Sequence, residues 1–479
     1  MGAIDGSAYL GRLRERQPEI WINGQRITGN ICEHQAFKGI LTSKAALYDL
    51  QLAPEFRELM TYVSPLSGRR VGTSYLEPRS KEDLEKRRKA AQEWAKASGG
   101  LMGRSPDYMN TGIMALGTAW DIFDGNESWG SAIKSLYERG RENDLSFSHT
   151  FVTPQVNRSL GYFENNGEEP LAAKVIKTTS DGLIIKGARL LATQGGLTDE
   201  LVVLPVMGNF IEDSSVYAFS IPSSTKNLKF ICRESFSYSS SHYNHPLGSR
   251  FEEMDTIVVF DSVEVPWERV FLHKDMEVLF NMYNDSSFYS FLLHQTVARQ
   301  AVKTEFILGI AQLLVDTIQI DSYQHVKEKV SEIIVGYEIM KSLLLASEME
   351  AAPDSRGRMI PSSNSLYAAI STYPKLHARL MEILQLLGAS GLITIPAEED
   401  FDSEVGPDLN HYLKGTDCDA KTKIGLFRLA WDISTSAFGG RQTVYERFFF
   451  GDPVRISTGI YNGYERQEAK DLVFRLLND

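Results

Sequence analysis

Only three cysteines, Cys32, Cys232 and Cys418, occur in 479 residues. They stand too far apart to suggest a chelate and are too few for a disulfide framework, which points to a reducing, cytoplasmic setting. No apolar run approaches the ~20 residues that a bilayer span needs. The opening Met1–Gly6 has neither the basic nor the apolar region of a secretory signal, and Gly6 stands where an acylation signal wants Ser or Thr. Neither a leader nor a lipid anchor is therefore expected. Positive charge is scattered: 50 basic residues against 62 acidic ones give a net charge of −12. That argues against a nucleic-acid groove or an anionic membrane as partner. No Gly-x-Gly-x-x-Gly, no Walker-type phosphate loop and no Gly-x-Ser-x-Gly elbow is present.

What is there suits a large soluble core: 43% of residues are hydrophobic and 23% charged. The length allows about three domains at roughly 150 residues each. Residues 1–145 read as mostly helical after a short hairpin, signalled by Asn23-Gly24 between apolar residues. A helix is expected from Ser80, with Asp83 completing a capping box and Gly99-Gly100 ending it. From 146 to 275 the texture changes to short β-branched runs such as 182–187, 200–205, 216–221 and 256–260. Their regular spacing predicts an antiparallel sandwich or barrel, interrupted by a long polar loop at 235–250. Residues 276–479 return to long helical periodicity and predict a bundle. The expected fold class is α+β.

Two short stretches carry the chemistry. Gly103-Arg-Ser-Pro-Asp-Tyr108 and Ser148-His-Thr-Phe-Val-Thr-Pro-Gln-Val-Asn-Arg158 place a guanidinium, a phenol and an imidazole on turn-prone segments. Arg104 supplies a fork of donors, while Tyr108 and His149 can each give or take a proton. The bland alternative is a capping arginine, a buried tyrosine and a hydrogen-bonded core histidine. Gln155, Asn157 and Arg158 form a donor-rich turn, and Thr193 stands at a strand-to-loop transition. Each could hold a cofactor or only satisfy its own backbone. His242-x-x-His245 lacks a third ligand nearby, so loop hydrogen bonding is its default and no metal site is expected.

Together these strings resemble the oxygenase component of two-component flavin-dependent aromatic monooxygenases, the 4-hydroxyphenylacetate 3-monooxygenase family. The resemblance runs almost the full length. Asn244-His-Pro-Leu-Gly-Ser-Arg-Phe-Glu-Glu-Met-Asp-Thr256, Phe260–Phe271, Arg428–Asp432 and Tyr445–Arg455 carry it further. It implies an acyl-CoA dehydrogenase-like fold: an N-terminal helical domain, a middle β-barrel or sandwich and a C-terminal helical bundle. It also implies reduced FAD delivered by a separate NADH-dependent flavin reductase, reaction with O2 to a C4a-hydroperoxide, and oxygen insertion ortho to a phenolic hydroxyl.

By the same resemblance Arg104, Tyr108 and His149 are the catalytic residues. Ser105, Pro106, Asp107, Met207 and Gly208 join them around the substrate. His149, Thr150, Phe151, Gln155, Val156, Asn157, Arg158, Thr193, Gly451, Asp452, Pro453 and Val454 are the expected FAD contacts, and a homo-oligomer, most often a tetramer, is implied. The loop 235–250 and the segment after Pro205 are expected to close over the site and exclude water. That segment, Val206-Met-Gly-Asn209, departs from the polar residues of hydroxyphenylacetate enzymes and leaves the para substituent open. 4-Hydroxyphenylacetate is the first expectation; tyrosine-like, coumarate-like and other substituted phenols are alternatives. Rival readings are a 4-hydroxybutyryl-CoA dehydratase-like enzyme, an acyl-CoA dehydrogenase, and a non-catalytic binding protein. The first needs cluster thiolates that 99–110 does not contain. In the second, Tyr445-Glu446 would have to be followed by Gly, where Arg447 stands.

Overall fold

The computed structural model describes residues 2–125, 129–154, 169–205 and 213–478. Helices come first, two sheets follow, and a helical bundle closes the chain. This order is the helical, β, helical plan expected from the sequence.

The local signals work where the chain obeys them. Ser80 caps the helix Lys81–Lys96 and Asp83 returns the bond to the Ser80 backbone, forming the expected capping box. Past its end Gly99 and Gly100 take φ of +58° and +72°, and a β-carbon on Gly100 would meet the backbone N of Lys303 at 2.8 Å. Glycine is therefore required there by both conformation and space. Asn23 and Gly24 turn the hairpin with φ of +51° and +76°, which matches the twist of the flanking strands.

The β region departs from the expected closed or purely antiparallel form. It is two open sheets. One has six strands in the order 25–26, 19–22, 228–232, 255–266, 182–193 and 174–178. The other has four, in the order 270–273, 217–222, 200–203 and 147–150. Each contains one parallel pair: Glu19–Ile22 beside Leu228–Cys232, and Phe147–Thr150 beside Glu200–Val203. The first arises because the N-terminal hairpin leaves its helical surroundings and extends the middle sheet. Ile20 and Phe230, paired across it, are both buried.

The bundle is built around Phe288–Ile318, a 31-residue helix that is buried on nearly every side through Thr304. Its polar residues survive burial because they are paired. Arg299 grips Glu446 through two bonds of 2.6 and 3.0 Å, and Lys303 and Gln300 add bonds of 2.8 and 3.1 Å to the same carboxylate. Burial alone would raise the Glu446 carboxyl, but Arg299 and Lys303 hold it well below the usual range. Arg299 also donates to the Gly100 carbonyl at 2.9 Å, tying the central helix to the loop that leads into Gly103–Tyr108. The loop 235–250 is a strap on this bundle. Leu247 and Gly248 donate backbone N–H to Asp432, and the Tyr243 hydroxyl donates to the Lys421 carbonyl. These bonds hold it down, contrary to the expected closing lid.

Glu446→Gln leaves Arg299 and Lys303 without a counter-charge in the interior. It should cost about 3–5 kcal/mol, read as a lower urea midpoint with unchanged slope.

Candidate functional site

The site begins at a helix start. Ser105 stands at the N-cap and Pro106 opens the helix Pro106–Gly117, where its missing N–H costs nothing. This fixes Arg104 just before the helix and Tyr108 in its first turn. His149 comes from the strand Phe147–Thr150. The structure brings these three together. The Tyr108 and His149 rings lie 5.7 Å apart. The Arg104 guanidinium lies 4.2 Å from the Tyr108 ring centre and 4.2 Å from that of Phe449. Sequence spacing did not single out Phe449; its only signal was the run Phe448–Phe450.

Arg104 is sandwiched rather than ion-paired. Its Nε and Nη1 are buried without a hydrogen-bond partner among the described residues. The Tyr445 hydroxyl, nearby, is in the same position. A β-carbon on Gly103 would stand 2.1 Å from that hydroxyl, so only glycine lets the Arg104 turn pass beneath Tyr445. Burial pushes His149 well below the ordinary imidazole range, and the Arg104 charge pushes it the same way. Burial raises Tyr108, against a smaller opposing effect of Arg104. At neutral pH the site thus holds a cation with unspent donors, a neutral imidazole and a protonated phenol.

The other predicted residues divide. Ser105 and Asp107 face inward: the Ser105 hydroxyl donates to one Asp107 oxygen and Gln295 donates to the other at 3.0 Å. Asp107 borders a cavity of about 20 Å³ with Arg87, Thr111 and His294, room for about one water. The Thr193 hydroxyl donates to Asp255 at 2.8 Å, and Ser148 donates to the Thr193 carbonyl, so Thr193 lies beside the His149 strand. The Thr150 hydroxyl is buried without a partner among the described residues, while Phe151 is exposed. Gly451 has φ of +108°, Asp452 caps the helix Pro453–Gly463, and Val454 is exposed. Gln155, Val156, Asn157, Arg158, Met207 and Gly208 lie outside the described residues, as does the rest of the expected closing segment Val206–Asn209.

Comparison with known proteins agrees over the whole length. The family model "4-hydroxyphenylacetate 3-hydroxylase N terminal" matches residues 5–272, and its C-terminal counterpart matches 280–478. This chain belongs to the 4-hydroxyphenylacetate 3-hydroxylase family. A probable 4-hydroxyphenylacetate 3-monooxygenase of Bacillus subtilis is 50% identical over all of this chain and 99% of its own. The oxygenase component of Thermus thermophilus is 40% identical, covering 100% and 98%. Among solved structures, an oxygenase component complexed with FAD and 4-hydroxyphenylacetate superposes with a TM-score of 0.94 at 40% identity, covering 99% of this chain and 98% of that one. An archaeal 4-hydroxybutyryl-CoA dehydratase reaches 0.89 at 17% identity, a likeness of fold alone.

Because His149 is depressed, its protonation cannot limit the enzyme in the usual imidazole range. kcat/KM for a phenol should stay level as pH falls through ~6.5 and decline only below it. A decline centred at 6.5 or above would contradict the depressed imidazole.

Proposed function

We propose that this protein is the oxygenase component of a two-component monooxygenase that uses reduced FAD and O2 to hydroxylate a para-substituted phenol ortho to its hydroxyl. 4-Hydroxyphenylacetate, yielding 3,4-dihydroxyphenylacetate, is the first substrate. Family membership supports the reaction class; the unpartnered guanidinium of Arg104 beside a neutral His149 carries the assignment of residues.

A free phenol has a pKa near ~10 and is mostly protonated at neutral pH. The ring attacks an electrophilic oxygen faster as phenolate, because the anion pushes charge onto the ortho carbon. The spare donors of Arg104 and the Tyr108 hydroxyl favour that anion, and His149 Nε2 or Nδ1 accepts the proton. The developing phenolate raises His149 again by opposite charge, so proton transfer and charge stabilisation reinforce each other. Ser105 and Pro106 shape the turn, and Asp107 braces it from behind.

The residues present fit a flavin. The buried Thr150 hydroxyl has no partner among the described residues, and Phe151, exposed, stacks 5.9 Å from the His149 ring. Gly451 to Val454 present a helix N-terminus two residues beyond Phe449, and Gln155 to Arg158 join the set by resemblance. When bound, FAD reduced by a separate NADH-dependent reductase would supply the electrons that turn O2 into the electrophilic oxygen donor. We place the enzyme in the cytoplasm as a homo-oligomer, a tetramer first. Three free cysteines support the compartment. Exposed apolar side chains on the last two helices, among them Val454, Tyr461, Leu472, Val473 and Leu476, support association.

With a flavin reductase, NADH and FAD, the protein should convert 4-hydroxyphenylacetate to a product heavier by one oxygen, and should do nothing with NADH alone. A panel of para-substituted phenols then ranks the substituent by mass. His149→Ala should lower hydroxylation by about 10²–10⁴ while reduced FAD is still consumed. Catechol formation near the parent rate would refute the assignment of the base.

A further inference from the structure

The deepest unexplained group is Lys44, on the helix Gln35–Leu52. It is 1% exposed, and its ammonium makes no salt bridge among the described residues. It donates instead to Gln194 Oε1 at 2.8 Å and lies 5.2 Å from the centre of the Tyr9 ring. Burial pushes it down to about 7 against the pull of Asp199 and Glu253. Burying a lysine in this way costs free energy, so its bond must return something.

That return is found two steps on. Gln194 Nε2 donates to the Arg104 carbonyl at 3.1 Å and to Glu253 Oε1 at 2.9 Å. Glu253 in turn accepts the Arg104 N–H at 2.7 Å and the Gly103 N–H at 2.9 Å. Both backbone polar groups of Arg104 are therefore held by this chain of side chains. Gln194 itself sits in the left-handed region, φ +59°, a conformation that a non-glycine residue adopts at some cost. Arg441 bridges to the other face, 3.5 Å from Glu253 and 2.8 Å from Asp255, the acceptor of Thr193.

We propose that Lys44, Gln194 and Glu253 are positioning residues for the hydroxylation: they fix the Gly103–Arg104 turn, and with it the direction in which the guanidinium offers its unspent donors. None touches the substrate. The inference rests on the reading of Arg104 as the residue that holds the phenol oxygen. Lys44 orients the Gln194 amide so that its N–H₂ faces Arg104 and Glu253. A reversed amide would set its oxygen against a carbonyl and a carboxylate. The two carboxylate oxygens of Glu253 then hold two successive N–H groups.

Gln194→Asn is the direct test, because asparagine accepts a left-handed backbone but is one methylene too short for both bonds. It should raise the KM for 4-hydroxyphenylacetate about 10- to 100-fold, the scale of a 1 Å misplacement. More of the reduced FAD should end as hydrogen peroxide, while affinity for reduced FAD should stay within about threefold. Combined with Arg104→Ala it should add little further loss, since both act through one guanidinium. An unchanged KM, or losses that multiply in the double variant, would overturn the proposal. If Arg104→Ala alone leaves the phenol KM intact, the reading of Arg104 itself fails, which is a separate result. Should Gln194→Asn not fold, Glu253→Gln decides by the same comparison. It places an amide N–H₂ against a backbone N–H, whereas Glu253→Asp, retaining two acceptors, should recover part of the lost affinity.

Discussion

A cation held between two aromatic faces, with its Nε and Nη1 donors unspent among the described residues, is the constraint around which the rest of this protein is arranged. Removing a guanidinium from water is costly, and an ion pair would offset that cost at the price of its reactivity toward a ligand. Contact with the faces of Tyr108 and Phe449 stabilises the charge by a modest amount, of order 1–2 kcal/mol, without consuming an N–H. The balance is met by the surroundings. The Arg104 backbone is fully bonded by Glu253 and Gln194. The ring of Phe449 is fixed because the helix before it, Ala437–Phe448, is anchored by Glu446 to the central helix.

The two halves of the site are thereby one mechanical unit. Thr193 and Gln194 are sequence neighbours at the end of one long strand, and Glu253 and Asp255 flank the start of the strand beside it. Thr193 bonds Asp255 on the side proposed for the flavin, and Gln194 bonds Glu253 on the side that holds Arg104; Arg441 touches both carboxylates. Ser148 adds a bond from the His149 strand to the Thr193 carbonyl. Three widely separated stretches of chain are thus referenced to the ends of two neighbouring interior strands of one sheet. Sub-ångström agreement between a base, a cation and a cofactor requires such a frame.

What the sequence revealed was local. The capping box at Ser80 and the Asn-Gly hairpin each depend on residues within a few positions, and both formed as expected; a helix starts at Pro106 where only a turn-prone segment was expected. Arg104 and Tyr108 could be grouped in advance because they share one short segment. Glu253 lies 149 positions from the N–H it holds, and no periodicity encodes that distance; its only trace was the string Phe-Glu-Glu-Met-Asp. The parallel entry of the hairpin into the middle sheet was hidden for the same reason. The central helix concealed its importance differently. Surrounded by protein, it carries no polar stripe to contrast with an apolar one, and its buried Arg299 and Lys303 resemble surface charges until Glu446 is placed against them.

The central claim is that the cluster of Arg104, Tyr108 and His149 favours an anionic phenol oxygen. It is tested most directly by ¹³C NMR of 4-hydroxyphenylacetate labelled at its hydroxyl-bearing carbon and bound to the protein, followed across pH. The bound phenol should ionise well below the ~10 of a free phenol, and Arg104→Ala should move it back up. A bound phenol that ionises at the free value or above would contradict the account.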